Sequence, residues 1–193
     1  MKIGIAKEII GGETRVACVP EQVGRLRELG HRVLVERAAG AGAGFADAEY
    51  QKAGAELAGD TGALWGNAQL ICKVRPPQPE EAARLSAGQT LVAFFHPAQN
   101  AGLLKQIAAQ GATLIAMDAI PRISRAQKMD ALSSMAHIAG YRAVIEAGQH
   151  FGRFFTGQTT AAGRMAPATV LVIGAGVAGL SAIGTAVSLG AVV

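Results

Sequence analysis

The sequence predicts an α/β fold built on a doubly wound parallel sheet. Two observations support this class. Short apolar runs rich in β-branched residues alternate with helical segments of about ten residues, the pattern of parallel strands joined by crossover helices. The composition, with 50% apolar and 17% charged residues, is that of a chain with a well-buried core.

Five strands are predicted before residue 120, at residues 2–6, 32–36, 69–74, 90–95 and 113–117. Helices are expected after Pro20, which suits a first helical turn, and after Asp47 and Asn100, which suit N-caps. A further helix should cover residues 80–85. The helix from Asp47 should run towards Leu57.

The loops after these strands carry the candidate chemistry of the predicted sheet. Arg15, residues 73–75, His96 and Asp118 follow four different strands, so they should share the carboxyl edge at which parallel sheets bind ligands. His96 is also explained as a histidine bonded to backbone with no further role. No pair of histidines has the spacing of metal ligands, so no metal site is expected.

Charge and cysteine content exclude several classes of protein. The net charge of +4 is scattered, without the block of Lys and Arg that marks a nucleic-acid-binding surface, so no nucleic-acid partner is expected. Cys18 and Cys72 are too few and too far apart for a disulfide framework or a zinc site, which indicates two reduced thiols in a cytoplasmic protein. Residues 165–193 carry no charge, yet Pro167 and the glycines argue against a membrane-spanning helix.

A glycine pattern, GAGVAG at residues 174–179, follows the apolar run of residues 168–173 and precedes an Ala-rich helical run that closes on Gly190. Strand, G-x-G-x-x-G and helix in this order predict the start of a Rossmann dinucleotide-binding domain, whose strand is buried on both faces. Gly174 would make the tight turn, Gly176 would leave room for a diphosphate, and Gly179 would let the helix approach the strand. A glycine-rich turn that binds nothing is the alternative.

The expected organisation is an α/β domain over residues 1–130, a bridging helix over residues 131–150 and the truncated Rossmann domain over residues 151–193. The acidic residue that binds the ribose in such domains lies about 20 residues beyond the glycines, which places it after Val193. The sequence is therefore expected to be the front part of a longer protein. The residue that distinguishes NAD from NADP is expected outside it.

Residues 121–136, PRISRAQKMDALSSMA, form a loop crowded with polar side chains that turns into a long helix, with Asp130 or Ser133 as its N-cap. The helix carries a face of small residues, including Gly140, that would allow close packing. One explanation of the loop is a turn and helix cap in which the polar groups hydrogen-bond to one another. A ligand site is the other, because so many polar groups are costly to desolvate unless a ligand pairs with them.

The segments RISRAQKMDALSSMAHIAGYRAVIEA, FGRFFTGQTTAAGR and VIGAGVAGL resemble the NAD(H)-binding domain of proton-translocating NAD(P) transhydrogenases, and KIGIAKE and ETRVACVP extend the resemblance to the whole chain. In that family hydride passes directly from NADH to NADP, and proton movement occurs in a separate membrane domain. The resemblance implies NAD(H) on this chain and, as partners, an NADP(H)-binding domain and a membrane proton channel. It also implies a homodimer, a cytoplasmic location at the inner membrane, and no turnover by these 193 residues alone.

The same resemblance implies site residues. Arg122, Gln127, Asp130 and Ser133 would contact the nicotinamide end, Arg125, Ala126 and Lys128 would line that site, and Gln127 would act as the catalytic residue by aligning two nicotinamide rings. The diphosphate would be held by Gly174, Gly176, Val177, Ala178 and Gly179. Direct hydride transfer needs only two ring carbons held in register, so positioning groups suffice.

The related alanine dehydrogenases offer the main alternative, the NAD-dependent reductive amination of pyruvate. They bind pyruvate through an arginine, a lysine and a histidine, and Arg15, Lys73 and His96 stand where their motifs place those residues. The stretch through Gln127 and Ser133 favours the transhydrogenase pattern. An inactive nucleotide-binding module is the third possibility.

Overall fold

The computed structural model describes residues 1–193, which fold as two compact units, Met1–Pro121 and Arg122–Val193. The expected domain limits at residues 130 and 150 stay predictions. In the structure, the long helix that was expected to bridge two domains lies within the second unit. No helix combines the length and the apolar character that crossing a bilayer requires.

The first unit is a parallel sheet with helices between its strands. Its strands are β1 (Lys2–Ile5), β2 (Arg32–Glu36), β3 (Glu56–Ala58), β4 (Leu70–Cys72), β5 (Thr90–Ala93) and β6 (Thr113–Ala116). Its helices are α1 (Pro20–Glu28), α2 (Asp47–Lys52), α3 (Thr61–Asn67), α4 (Pro79–Ala82) and α5 (Ala101–Ala109). The strands pair in the order β3-β2-β1-β4-β5-β6, all in parallel. The α/β class and the doubly wound parallel sheet are confirmed.

Strands β2, β3 and β4 send alternate residues into two hydrophobic clusters, one on each face of the sheet. Leu34 of β2 joins a cluster that includes Trp65 and Phe95, whereas its neighbours Val33 and Val35 join a cluster that includes Tyr50. This division follows from the two-residue period of a strand, which sends successive side chains to opposite faces. Both faces are therefore covered at these strands, whereas Ile115 on the edge strand β6 is 44% exposed.

One strand and one helix of this unit were not predicted. The helix expected from Asp47 towards Leu57 ends at Lys52, because Gly54 adopts a left-handed conformation with φ of +91° and turns the chain into β3. Helix α3 then follows, capped by the Asp60 carboxylate, which accepts a 2.7 Å hydrogen bond from the Ala63 N–H. Asp47 itself is not an N-cap, since its carboxylate accepts from the backbone of Ala38 at 2.8 Å.

The second unit contains two long helices and a hairpin. A 3₁₀ segment (Ser124–Met129) leads into α6 (Ala131–Phe151), which is followed by the antiparallel strands β7 (Gln158–Thr160) and β8 (Gly163–Met165) and by α7 (Val177–Ser188). No strand was predicted for the stretch that forms this hairpin. Asp130 caps α6, as one of the two predicted choices, and Gly190 follows the end of α7 as predicted.

The prediction of a strand buried on both faces at residues 168–173 is wrong for this structure. The segment is extended, but its only pairing is a bridge between Thr169 and Val192. Leu171 is 83% exposed and Ile173 is 91% exposed. A strand is buried on both faces only when neighbouring strands and helices cover it, and residues 1–193 supply one short neighbour.

Candidate functional site

The glycine loop has the backbone geometry that each of its glycines was predicted to provide. Gly174 lies at φ +101°, a conformation that L side chains rarely adopt. A Cβ on Gly179 would come within 1.9 Å of the Gly174 carbonyl oxygen, so only glycine permits this approach of helix and loop. A Cβ on Gly176 would meet nothing within 4 Å, which leaves open space beside the backbone.

Helix α7 starts at this loop and directs its amino end towards that space. Gly176 is its N-cap, and the Leu180 N–H donates to the Gly176 carbonyl at 2.9 Å as the first helical bond. The preceding N–H groups have no partner within the helix and carry the positive end of its dipole. A diphosphate is the ligand chemistry that such an end accepts.

A cavity of about 650 Å³ joins the glycine loop to the start of α6. From the α6 side it is lined by Arg122, Leu132, Ser133, Met135, Ala136 and Ala139, and from the α7 side by Ile173, Gly174, Gly176, Val177, Ala178 and Gly179. The structure therefore brings together two groups of candidate residues that lie 40 or more positions apart in sequence. All of them belong to the second unit.

Asp130 and Ser133 form a hydrogen-bonded pair at the amino end of α6. The Ser133 N–H and hydroxyl donate to the two carboxylate oxygens of Asp130 at 2.9 and 2.6 Å. These bonds, the hydroxyl bond first, lower the pKa of Asp130, and the positive charge of Arg122 acts in the same direction. The carboxylate is thus ionised and its orientation is fixed.

The remaining candidates of the Arg122–Ser133 loop do not line the cavity. Arg125, Gln127 and Lys128 are exposed on the 3₁₀ segment. Ala126 is 5% exposed, so its side chain packs into the unit. Gln127 thus faces solvent, where it is accessible to another molecule.

A second cavity in this unit, about 420 Å³, is lined by apolar side chains and Thr169. Its walls include Val144, Phe151, Phe155 and Leu171, and no titratable side chain reaches it. Specific recognition needs a few convergent polar groups, which this cavity lacks. The candidate site is therefore the cavity beside the glycine loop.

In the first unit, Arg15 is engaged by a carboxylate of its own chain. Its Nε and Nη2 bind the two carboxylate oxygens of Glu13 at 2.8 and 2.6 Å, and the Arg75 Nε binds Glu13 at 2.8 Å. The bond from Arg15 is the largest of the effects that lower the pKa of Glu13 to about 2. Sequence reasoning placed Arg75 in the right loop but did not single it out or pair it with Glu13.

Lys73, the second residue of the alternative site, is sealed inside the unit. Its side chain is 1% exposed, and its Nζ lies 2.6 Å from Glu81 Oε1 and 3.8 Å from Glu8 Oε2. Glu8 also accepts the Val74 N–H at 2.6 Å. Burial raises the pKa of Glu8, against the opposing effects of the Lys73 charge and the backbone bonds. Lys73 is thus committed to protein carboxylates.

His96 is held at the end of β5 by Asp118 from the loop after β6. Asp118 accepts the N–H groups of Phe95 and His96 at 2.6 and 3.0 Å, and its Oδ2 lies 3.5 Å from His96 Nδ1. Desolvation is the largest single effect and raises the pKa of Asp118, but the backbone hydrogen bonds from His96, Phe95 and Asp118 itself, together with the nearby His96 side chain, outweigh it and the net pKa is lowered. The backbone of His96 lies at φ +50°, a left-handed conformation uncommon for a residue with a Cβ. Of the residues predicted to share this edge (Arg15, residues 73–75, His96 and Asp118), Arg15 and Arg75 bind Glu13, Lys73 pairs with Glu81, and His96 is held by Asp118.

Comparison with known proteins identifies the family of the chain. The chain matches the family model described as alanine dehydrogenase/PNT, N-terminal domain, over residues 4–139, and the corresponding C-terminal domain model over residues 143–193. It is 61% identical over its whole length to the NAD(P) transhydrogenase subunit alpha of Cereibacter sphaeroides, of which it covers 37%.

Two solved structures are similar over 99% of the chain. A transhydrogenase from Sinorhizobium meliloti superposes with a TM-score of 0.94 at 43% identity, and the chain covers 57% of it. An L-alanine dehydrogenase superposes with a TM-score of 0.86 at 34% identity, and the chain covers 53% of it. The chain therefore spans roughly a third to a little over half of these relatives. It belongs to the alanine dehydrogenase/PNT family.

Proposed function

We propose that this chain is the NAD(H)-binding part of a transhydrogenase that passes hydride between NADH and NADP(H). The observation that carries the proposal is the cavity shared by the glycine loop and the start of α6. The greater identity to the transhydrogenase alpha subunit than to the L-alanine dehydrogenase supports the same choice.

The diphosphate of the dinucleotide would bind at the first turn of α7. Gly176 leaves that backbone open, and the unpaired N–H groups of Val177 and Ala178 offer donors to an anion. Arg122 lines the same cavity and adds a positive charge that meets no carboxylate within ion-pair distance. The charge of the ligand is thus matched by both backbone and side chain.

The nicotinamide end would lie beside Ser133 and Arg122, with Asp130 holding the Ser133 hydroxyl in place. When bound, the dinucleotide would supply the nicotinamide ring that donates or accepts the hydride. The protein needs no acid or base for that transfer, and its residues only fix the position of the ring and its carboxamide. Gln127, exposed outside the cavity, is suited to contact a second nucleotide held by a partner domain.

The partners that follow from this proposal are an NADP(H)-binding domain, a membrane proton channel and a second copy of the chain. The location would be cytoplasmic, at the inner membrane. The relatives' name, which identifies them as a subunit, and the family resemblance support these assignments.

The alternative, a 2-oxo acid site in the first unit, has less support. A carboxylate substrate would have to displace Glu13 from Arg15, and it could not reach Lys73, which is buried against Glu81. The ligand would have to break a charge-assisted bidentate pair before it could form its own.

The proposal is tested with the intact protein and an NADP(H)-binding domain, by following hydride exchange between NADH and an NADP analogue. Ser133→Ala, which removes the hydroxyl from the cavity, should weaken NADH binding about tenfold. Ser134→Ala is the matched control, because Ser134 is exposed and does not line the cavity. Alanine-dependent reduction of NAD without exchange would instead support the dehydrogenase, and neither activity would leave an inactive module.

A further inference from the structure

Helices α6 and α7 touch at one point where a side chain would not fit. A Cβ built on Gly140 of α6 would lie 2.0 Å from the carbonyl oxygen of Ala178 and 2.8 Å from its carbonyl carbon. Ordinary van der Waals contact begins near 3.4 Å. Because the obstacle is backbone, it cannot move aside as a side chain would. Any residue other than glycine must therefore push the two helices apart.

A second contact joins the same helices. The Ser181 hydroxyl donates to the His137 carbonyl oxygen at 2.8 Å, across 44 residues of sequence. Ser181 lies one turn beyond Ala178 on α7, and His137 lies one turn before Gly140 on α6. The hydrogen bond therefore stands beside the close approach and fixes the relative position of the two helices at their contact.

Each helix carries one end of the candidate site. Ser133 lies seven residues, about two turns, before Gly140, so both residues are on the same face of α6. Ala178 is the second residue of α7 and itself lines the cavity beside the glycine loop. The distance between the glycine loop and Ser133 is thus set by how closely α6 approaches α7 at Gly140.

We propose that Gly140, together with Ser181, is a positioning residue that sets the span of the nucleotide site between the diphosphate loop and the nicotinamide end. This inference rests on the proposed function, because it concerns the same cavity. Neither residue needs to touch the nucleotide. A dinucleotide that contacts both ends requires the correct span, whereas a nucleotide that lacks the nicotinamide does not.

The test compares the dissociation constants of NADH and ADP-ribose for the intact protein and its Gly140→Ala variant. ADP-ribose keeps the diphosphate and lacks the nicotinamide. Displacing the loop by about 1 Å should weaken NADH binding roughly tenfold or more and ADP-ribose binding much less. A change that is equal for the two ligands would overturn the inference, because simple loss of folded protein affects both alike.

Gly148→Ala is the matched control. Gly148 lies on the same helix, and a Cβ there would meet only the Phe155 ring, 2.8 Å away, which can rotate. This variant should bind both ligands as the unsubstituted protein does. If Gly148→Ala and Gly140→Ala behave identically, the inference is wrong.

Ser181→Ala keeps the test informative should Gly140→Ala fail to fold. It removes one hydrogen bond and adds no atom, so NADH should bind about threefold more weakly while ADP-ribose binding stays unchanged. Ser188→Ala is its control, because the Ser188 hydroxyl bonds only within α7, to the Gly184 carbonyl. Equal binding by the Ser181 and Ser188 variants would overturn the inference. If the unsubstituted protein binds neither ligand, the proposed function itself fails.

Discussion

Lys73 and Glu81 form an ion pair inside the first unit, with 2.6 Å between Nζ and Oε1 and side chains that are 1% and 5% exposed. Glu8 adds a second carboxylate 3.8 Å from the same Nζ and binds the backbone of Val74. The loop after β1 is thereby tied to the loop after β4. A buried charge network of this kind stabilises the fold only while all of its members are present.

Lys73→Ala should therefore destabilise the protein by about 3–5 kcal/mol, because it leaves two carboxylates buried without a cation. Chemical denaturation of the intact protein measures the change. Lys105→Ala is the control, since Lys105 is exposed on α5 and should alter stability by no more than about 0.5 kcal/mol. A Lys73 variant of normal stability that has lost the ability to bind a 2-oxo acid would favour the dehydrogenase alternative.

Glu13→Gln should reduce the free energy of unfolding near neutral pH by about 1–2 kcal/mol. This value is smaller than the pKa shift alone implies, because water screens the charges of the partly exposed Arg15 and Arg75. The folded pKa of Glu13 is lowered from 4.5 to about 2, chiefly by its bond from Arg15. A lowered folded pKa stabilises the protein in full above the unfolded pKa, and the effect is lost as pH falls through the folded pKa. The stability difference between the two proteins should thus shrink between about pH 5 and pH 2.

Denaturation of both proteins across that pH range is the measurement. Glu21→Gln provides a control, because the Glu21–Arg25 pair is on the surface and about two-thirds exposed. A difference that does not vary with pH would show that Glu13 acts through packing and not through its charge.

Gly179→Ala should abolish nucleotide binding, because its Cβ would lie 1.9 Å from the Gly174 carbonyl oxygen and the loop would have to open. Gly184→Ala, on the same helix with nothing within 4 Å of a Cβ, should keep binding and gain about 0.5–1 kcal/mol of stability from helix propensity. Titration with NADH, followed by fluorescence, measures binding by both variants. Normal affinity in Gly179→Ala would remove the glycine loop from the site.

Cys18 and Cys72 should react slowly with a thiol reagent at pH 7.5 in the folded protein. Burial raises the pKa of Cys18 to about 11 and, with a smaller effect of Cys18, that of Cys72 to about 12. The reactive thiolate is therefore scarce. In denaturant both cysteines should react rapidly with the reagent, which gives a total of two thiols. Rapid labelling of the folded protein would show that one cysteine is accessible.

The elements that sequence reasoning found are those with a local signal. Five strands of the first unit, the proline start of α1 and the Asp130 cap all depend on residues within one turn or one strand. Strand β3 was missed because three residues, Glu56–Ala58, are too short to show alternation against the helical pattern before Gly54.

The site was predictable only in part, for a physical reason. The glycine loop and the Asp130–Ser133 pair are each formed by residues that are close in sequence, so the local pattern of residue types predicts them. The ion pairs of Lys73 with Glu81 and of Arg15 with Glu13 depend on which side chains share the sheet edge and which of them is buried. The close approach of α6 and α7 at Gly140 depends on Ala178, which lies 38 positions later. No periodicity in the sequence predicts this contact.

At His96, the conformation of the backbone and the chemistry of the side chain depend on different contacts. Its φ of +50° is accompanied by hydrogen bonds to Asp118 that the backbone N–H groups of Phe95 and His96 donate, so these bonds do not depend on the imidazole. Glycine adopts that conformation at no steric cost. A homologous protein with glycine at position 96 could therefore keep the conformation of this loop while it lacks the imidazole. The backbone structure and the side-chain chemistry at this sheet edge can thus evolve independently.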